Sequence, residues 1–305
     1  MNLPILSFRT LLAGLMALAA LGPAGAQQDF SKVEIKAQKL SDSVYMLTGA
    51  GGNMGLSVGA DSVFLIDDQF APLASRIKAA IARITPKPVQ WVLNTHFHFD
   101  HTGGNESFGG DGALIVAHDN VRRRMSSEQL IALAGNASRQ KAAPRVALPA
   151  VTVPGDITFH INGDEVHAFH VPRAHTDGDL IVHFRQSDVV HMGDVFFNGM
   201  YPFIDISSGG SVAGVIAAYD RVLALAGEST RIIPGHGHLA TRADLQAARG
   251  MLVATTQRAQ DLRRAGKSDA EIRAAKPSAE FDAVYGGGFI KPDIFVQQIL
   301  AGLVP

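Results

Sequence analysis

The sequence predicts an α/β protein built as a four-layer αββα sandwich, in which two β-sheets face each other and helices cover their outer faces. Three observations support this fold class. Short strand-like runs occur in two sets, amphipathic helices accompany each set, and histidine or aspartate follows several of the apolar runs. With 305 residues, of which 47% are hydrophobic, the chain can bury a core of the required size.

The first set of elements opens with a meander. Short apolar runs separated by glycine-rich turns predict strands over residues 44–47, 56–58 and 63–66. A helix is predicted to begin at Pro72, because apolar residues then recur at 3-4 spacing until Pro86 stops it. The run over residues 89–94 predicts a buried strand.

The second set follows a polar, helix-like stretch over about residues 118–142. Strands are predicted over residues 157–160, 165–170, 180–184 and 189–191, and helices near 211–226 and 241–265. Thr241 and Asp244 give the last of these a capping-box start. We predict one domain over residues 27–305, with a core at about 40–265 and a C-terminal extension at 266–305 that ends in a helix over 292–301.

The N-terminal segment predicts a signal peptide over residues 1–26. Arg9 precedes an apolar run, and Ala24-Gly25-Ala26 fits the small-x-small cleavage rule, so the mature chain is expected to begin at Gln27. A membrane anchor is the alternative, but the run is shorter than the roughly 20 residues that a spanning helix needs. The expected location is therefore the periplasm or the medium, with no membrane contact after cleavage.

Charge and cysteine content narrow the classes of partner. The net charge is −1, and removal of Arg9 with the signal peptide makes it −2, so no basic excess favours nucleic acid or an anionic membrane. The chain contains no cysteine, so disulfides cannot stabilise it. A small-molecule substrate is the expected partner, and the sequence leaves the oligomeric state open.

The most informative segment follows the strand at 89–94 and reads HFHFDH from His96. In an extended chain, alternate residues point to the same side, so His96, His98 and Asp100 can converge on one point while His101 turns toward a second. Imidazole and carboxylate together suit zinc. The alternative is a histidine-rich surface loop that binds nothing, and four ligands at this spacing argue against it.

Three further residues supply the partners that such a loop needs. His175, Asp194 and His236 each lie close to the end of an apolar segment. The HxHxDH motif followed by single His, Asp and His residues resembles the metallo-β-lactamase superfamily of hydrolases, over roughly residues 40–265. The resemblance implies that fold and two zinc ions. The implied ligands are His96, His98 and His175 for one ion, Asp100, His101 and His236 for the other, and Asp194 as the bridge.

The resemblance also implies a reaction. Two zinc ions about 3.5–4 Å apart hold a hydroxide and polarise a carbonyl, so acyl hydrolysis needs no protein nucleophile. Asp100 is expected to contribute to catalysis as well as to metal binding. Asn198 and Tyr201, on the loop after Asp194, are predicted to donate hydrogen bonds to an oxyanion or a substrate carboxylate. The alternative for this loop is a packed aromatic turn.

The substrate is less well defined. Because the chain has no cysteine, the second metal site resembles glyoxalase II more than the lactamases that use a cysteine ligand. Amide and ester-type acyl bonds are expected substrates, with β-lactams first, although residues 194–230 lack the lysine that such lactamases offer to the substrate carboxylate. Alternatives are a thioester or lactone hydrolase, a persulfide dioxygenase-like oxidoreductase with one iron, and a catalytically silent metal-binding protein.

Several other residues are candidates near the site. His238 shares an HxH with His236, and both Asp67 and Thr95 lie where they could orient a ligand histidine. Loops 49–55, 118–145 and 196–210 are expected to set selectivity. Their basic residues that could anchor a substrate are Arg122, Arg123, Arg124, Arg139, Lys141 and Arg145.

Overall fold

The structure is a computed structural model that describes residues 29–133 and 136–303. The chain divides into a short N-terminal unit, Met1–Lys32, and one large compact unit, Val33–Pro305. The predicted signal peptide over residues 1–26 lies outside the described residues. Within the described ranges, no helix combines the length and the apolar character needed to cross a membrane.

The described strands form two large sheets and one hairpin. They are Lys36–Lys39 (β1), Val44–Thr48 (β2), Met54–Val58 (β3), Val63–Ile66 (β4), Trp91–Leu93 (β5), Leu114–His118 (β6), Gln129–Leu133 (β7), Asn136–Gln140 (β8), Val151–Val153 (β9), Ile157–Ile161 (β10), Asp164–His170 (β11), Leu180–Phe184 (β12), Val189–His191 (β13) and Arg231–Ile233 (β14). The first sheet has the order β1-β2-β3-β4-β5-β6-β9, the second has the order β10-β11-β12-β13-β14, and β7 pairs with β8.

Helices connect the strands and form the C-terminal region. They are Ala74–Ala82 (α1), Phe99–Thr102 (α2), Asn105–Gly110 (α3), Asp119–Met125 (α4), Val212–Leu225 (α5), Arg242–Arg264 (α6), Asp269–Ala274 (α7), Asp282–Tyr285 (α8) and Pro292–Gly302 (α9). One core cluster lies between the sheets, where Phe64 and Leu93 of the first meet Val166 and Val182 of the second. A second cluster packs α5, α6 and α9 on the second sheet.

Strand direction explains why one edge of the sandwich carries the candidate ligands. In the first sheet β4, β5, β6 and β9 run parallel, and in the second β13 runs parallel to β14. Strand β11 also shares that direction, because it is antiparallel to β12, which is antiparallel to β13. The parallel strands of each sheet therefore have their carboxyl ends at the same edge of that sheet. The predicted ligands follow the carboxyl ends of β5, β11, β13 and β14.

Most of the predicted elements occur close to their predicted bounds. The meander is β2-β3-β4, the four predicted strands of the second set are β10 to β13, and the capping box joins Thr241 to Asp244 at the start of α6. The C-terminal helix is α9. Its Phe295 and Ile299 are buried in the same core as α5 and α6, so the extension packs on the sandwich.

The prediction of one helix-like stretch over residues 118–142 was wrong beyond its first turns. Helix α4 ends at Met125, and the chain then forms the β7–β8 hairpin. In β7 the side chain of Leu130 is exposed while that of Ile131 is buried, which is the alternation of a strand. Cross-strand pairing and burial of alternate side chains here override the helix propensity of alanine and leucine.

Candidate metal centre

The first group of ligand atoms lies where the carboxyl ends of the strands carry the predicted ligands. The Nδ1 atom of His98 lies 3.2 Å from Nε2 of His96 and 2.9 Å from Nε2 of His175. Oδ2 of Asp194 lies 3.8 Å from Nε2 of His96 and 3.7 Å from Nε2 of His175. All four residues are buried, so their donor atoms converge on one point inside the protein.

The second group uses the other oxygen of Asp194. Oδ1 lies 2.9 Å from Nε2 of His101 and 3.4 Å from Nε2 of His236. Oδ2 of Asp100 lies 3.2 Å from the same His236 nitrogen and 3.8 Å from the His101 nitrogen. The structure thus brings all seven predicted metal ligands into two groups that share Asp194.

These distances fit two divalent cations. Ligand bonds of about 2.0–2.2 Å in a tetrahedral site place neighbouring donor atoms about 3.3–3.6 Å apart, which is close to most of the separations in both groups. Nε2 of His101 and Oδ1 of Asp194 are buried and have no partner of hydrogen-bond geometry among the described residues. Two orphaned polar atoms that face each other at 2.9 Å are the arrangement that a shared cation satisfies.

Two glycines make room for the second group. A Cβ atom on Gly52 would lie 2.1 Å from Cε1 of His101, and one on Gly235 would lie 2.1 Å from Oδ1 of Asp194. Gly52 belongs to the loop between β2 and β3, and its amide donates to the carbonyl of Asp100. The glycine-rich loop at 49–55 therefore lies against the second group, and its lack of side chains lets the ligands approach.

Asp67, which directly follows β4, orients ligands of both groups. Its Oδ2 lies 2.7 Å from Nδ1 of His101 and accepts a hydrogen bond from the hydroxyl of Thr95, while Oδ1 accepts from the Thr95 amide. The Thr95 hydroxyl in turn lies 3.1 Å from Nδ1 of His96. These contacts fix the rings so that both Nε2 atoms face the cation positions, the usual role of carboxylates behind metal-binding histidines.

Asp205 performs the same task for His98, and no sequence pattern had pointed to it. Nε2 of His98 lies 3.1 Å from Oδ2 of Asp205, whose side chain is 1% exposed. Because His98 offers Nδ1 to the first group, its Nε2 carries the proton and donates to Asp205. Burial raises the pKa of Asp205, but hydrogen bonds from His98, Ser207 and Ser208 outweigh the effect of burial and hold the pKa well below its usual range.

The two groups differ in their electrostatics. Burial, and next the neighbouring His98, lower the pKa of His175 to about 4, so its lone pair is available at neutral pH. Burial also lowers the pKa of His236, but the charge of Asp194 and the hydrogen bond with Asp100 raise it to about 9. A cation held by the second group would therefore replace a proton on His236, whereas one held by the first group would meet a neutral His175.

Two residues predicted to assist catalysis lie outside the two groups. The backbone amide of Asn198 donates to the carbonyl of His236, but its side-chain amide donates to the carbonyl of His238. Tyr201 is buried, and its hydroxyl donates to the carboxylate of Asp282 at 2.7 Å. The oxyanion role predicted for Tyr201 is wrong in this structure, because its hydroxyl is committed to the C-terminal extension and its ring stacks on Phe295.

Most of the basic residues between 122 and 139 are also committed to protein contacts. Arg124 makes a two-bond ion pair with Asp177, with nitrogen to oxygen distances of 2.8 Å, and its guanidinium lies over the ring of Phe97. Arg122 donates to the carbonyl of Pro149, and Arg139 pairs with an exposed glutamate. Arg124 therefore supports the metal loop from behind instead of standing free as a substrate anchor.

Comparison with known proteins identifies the class. Residues 47–255 match the family model of the Metallo-beta-lactamase superfamily, so the chain belongs to that superfamily. A metallo-beta-lactamase from Pontibacter korlensis superposes with a TM-score of 0.59 at 18% identity, covering 72% of this chain and 99% of that one. That likeness confirms the predicted fold.

Two curated relatives are hydrolases. A hydroxyacylglutathione hydrolase from Polaromonas sp. is 28% identical over 194 residues, covering 61% of this chain and 65% of the relative. An acyl-coenzyme A thioesterase from Gallus gallus is 25% identical over 163 residues, covering 50% of this chain and 57% of the relative. The chain thus spans less than two thirds of the length of each. Together with the two ligand groups, these relatives support a metal-dependent hydrolase.

Proposed function

We propose that this protein is a dizinc hydrolase that cleaves an activated acyl bond, with thioesters and esters as the leading substrate class. One observation carries the proposal: the two carboxylate oxygens of Asp194 face two separate ligand groups, each with histidine nitrogens. A carboxylate placed in this way suits two cations side by side. The donor set of imidazole and carboxylate without thiolate fits zinc and also fits iron.

When bound, such a pair of cations supplies an activated water and polarises the carbonyl of the substrate. The chain itself supplies the positions. Asp67 and Asp205 fix the ligand rings, and the glycine loop at 49–55 leaves space beside the second group. Asp100, which is partly exposed, and His236 form the solvent-facing side of the centre, where a substrate can approach.

Thioesters are the leading substrate class for two reasons, the names of the relatives and the lack of a free arginine to bind a substrate carboxylate at Arg124. Both curated relatives described above carry names of thioester-cleaving enzymes. A β-lactam presents a carboxylate beside its ring, and Arg124, which lies over Phe97 of the metal loop, is already paired with Asp177. β-Lactams remain the second candidate, since the same metal centre could open an amide, and we expect a high KM for them.

The test combines metal analysis with a substrate panel. Purified mature protein should hold two zinc ions, lose thioesterase activity in chelator and regain it with zinc. Asp194→Ala should lose both the second ion and turnover, while Val284→Ala, a change of an exposed side chain on α8, serves as the control. One tightly held iron with no hydrolysis of thioester, lactone or β-lactam would replace this proposal with an oxidoreductase of the persulfide dioxygenase type.

We also propose that the protein is exported and acts in the periplasm. The support is the sequence of residues 1–26, with one positive charge before an apolar run and a small-x-small cleavage site. N-terminal sequencing of protein from the periplasmic fraction should begin at Gln27. Retention of Met1 in a cytoplasmic fraction would contradict the proposal.

A further inference from the structure

Two exposed aromatic side chains belong to segments that carry or contact a ligand of the second group. Among the described residues, Phe99 is 43% exposed and Phe289 is 46% exposed. Single exposed apolar side chains are common and by themselves indicate nothing. These two differ from the exposed aliphatic residues because each is adjacent to, or in ring contact with, a ligand of the second group.

Phe289 comes from the C-terminal extension, outside residues 47–255 that match the superfamily. Its ring centroid lies 6.1 Å from that of His236 and 5.8 Å from that of Phe197, which stacks on His236 at 5.2 Å. The segment that carries it is anchored, because Ile290 is fully buried and a Cβ atom on Gly288 would lie 2.7 Å from Met200. Phe289 is therefore held in place at the second group.

Phe99 carries the second exposed ring. It is the residue before Asp100 and begins the short helix α2. Its ring lies 5.6 Å from that of Phe70, and a Cβ atom on Gly51 would contact the ring of Phe70 at 3.2 Å. Phe99 and Phe70 thus form an apolar surface next to the glycine loop.

Of these two exposed rings, that of Phe289 contacts a ligand of the second group, whereas Phe99 only precedes one in the chain. Nε2 of His236, the ligand that Phe289 contacts, lies 3.2 Å from Oδ2 of Asp100. A substrate whose reacting carbonyl lies beside His236 can therefore extend over the ring of Phe289. Rings that are half-exposed in the free protein lose their contact with water when an apolar group covers them, which favours that group over a polar one.

We propose that Phe289 forms an apolar subsite that takes an aryl or other bulky apolar acyl group of the substrate. This inference rests on the proposed acyl hydrolase function and assigns its substrate class. The group that occupies the subsite is the acyl part, because the thiols in the names of the two relatives, glutathione and coenzyme A, are polar, and an apolar surface favours the less polar part of such a thioester.

The test compares two thioesters that share one thiol, N-acetylcysteamine, and differ in the acyl group, acetyl or phenylacetyl. The wild-type protein should prefer phenylacetyl in kcat/KM, and Phe289→Ala should lower that preference by about tenfold, mainly through KM, the size of effect that apolar pockets give. Phe289→Leu should restore part of the preference. Val284→Ala, which shortens another exposed apolar side chain of the same extension, should leave it unchanged. An equal preference in wild type and Phe289→Ala would overturn the subsite.

Binding of the product acids separates this inference from the proposed function. Calorimetry on the zinc-loaded protein should show phenylacetate binding more tightly than acetate, with the difference reduced in Phe289→Ala at unchanged zinc content. If no thioester is cleaved but this difference is present, the proposed function fails and the apolar subsite stands. If thioesters are cleaved but phenylacetate binds no more tightly than acetate, the subsite fails and the hydrolase stands.

Discussion

Removal of the Asp205 carboxylate should weaken the binding of one metal ion and leave the fold intact. The carboxylate is buried and accepts a hydrogen bond from His98 at 3.1 Å, and hydrogen bonds to a charged group contribute about 1.5–3 kcal/mol. Losses of this kind behind a ligand histidine reduce metal affinity by about 10- to 100-fold. We expect Asp205→Ala near the upper end of that range. Asp205→Asn should lie near the lower end, because its amide oxygen can still accept from His98.

Competition with a chelator, followed by counting the zinc that remains, measures this effect. In Asp205→Ala one of the two ions should leave at lower chelator concentration while the other is released as in the wild type. Ser207→Ala is the matched control, because it removes a hydroxyl that donates to the other oxygen of Asp205 and leaves the contact with His98. Equal zinc release by the Asp205→Ala and Ser207→Ala variants would refute the reasoning.

Three further substitutions test other contacts. Tyr201→Phe should leave turnover unchanged but lower the melting temperature by a few degrees, because the partly buried Asp282 loses a donor worth about 1 kcal/mol. A large loss of kcat would contradict this. Gly52→Ala should lose zinc from the second group, because the new Cβ collides with His101, and full occupancy would exclude the clash. Burial, and next a stacked histidine neighbour, lower the pKa of His118. The folded state therefore binds fewer protons than the unfolded state, and the free energy of unfolding falls as the pH drops below about 6.5. His118→Asn, which keeps a cap acceptor for α4, should flatten that fall in urea titrations.

Local sequence patterns predicted the metal ligands because the constraint is local. His96, His98, Asp100 and His101 lie within one loop and α2, so their spacing alone indicates a site. The apolar runs that form β11 and β13, before His175 and Asp194, were also predicted as strands, whereas β14, before His236, was not. Asp205 was not predicted either, because it contacts His98 across 107 residues of sequence, and an aspartate followed within three residues by two serines is typical of any turn.

Tertiary context decided the elements that the sequence did not reveal. The hairpin β7–β8 contains alanine and leucine and resembles a helix locally, and only cross-strand pairing makes it a sheet. The hydroxyl of Tyr201 could not be assigned either, because its partner Asp282 belongs to a segment 81 residues away. A loop beside a metal ligand is a good candidate for substrate contact until a distant segment is shown to occupy its polar atoms.

Metal ions should also stabilise this fold, since three carboxylates that are almost fully buried surround the ligand histidines. Asp67, Asp194 and Asp205 are each at most 5% exposed, and uncompensated buried charge is costly. Cations that bind only the folded state add RT ln(1 + [L]/Kd), about 4 kcal/mol at 1,000 times Kd, which corresponds to roughly 8–16 °C in a domain of this size. We expect excess chelator to lower the melting temperature by that order and added zinc to restore it. A melting temperature that ignores chelator, although zinc analysis shows both ions gone, would mean that protonated histidines balance these carboxylates equally well.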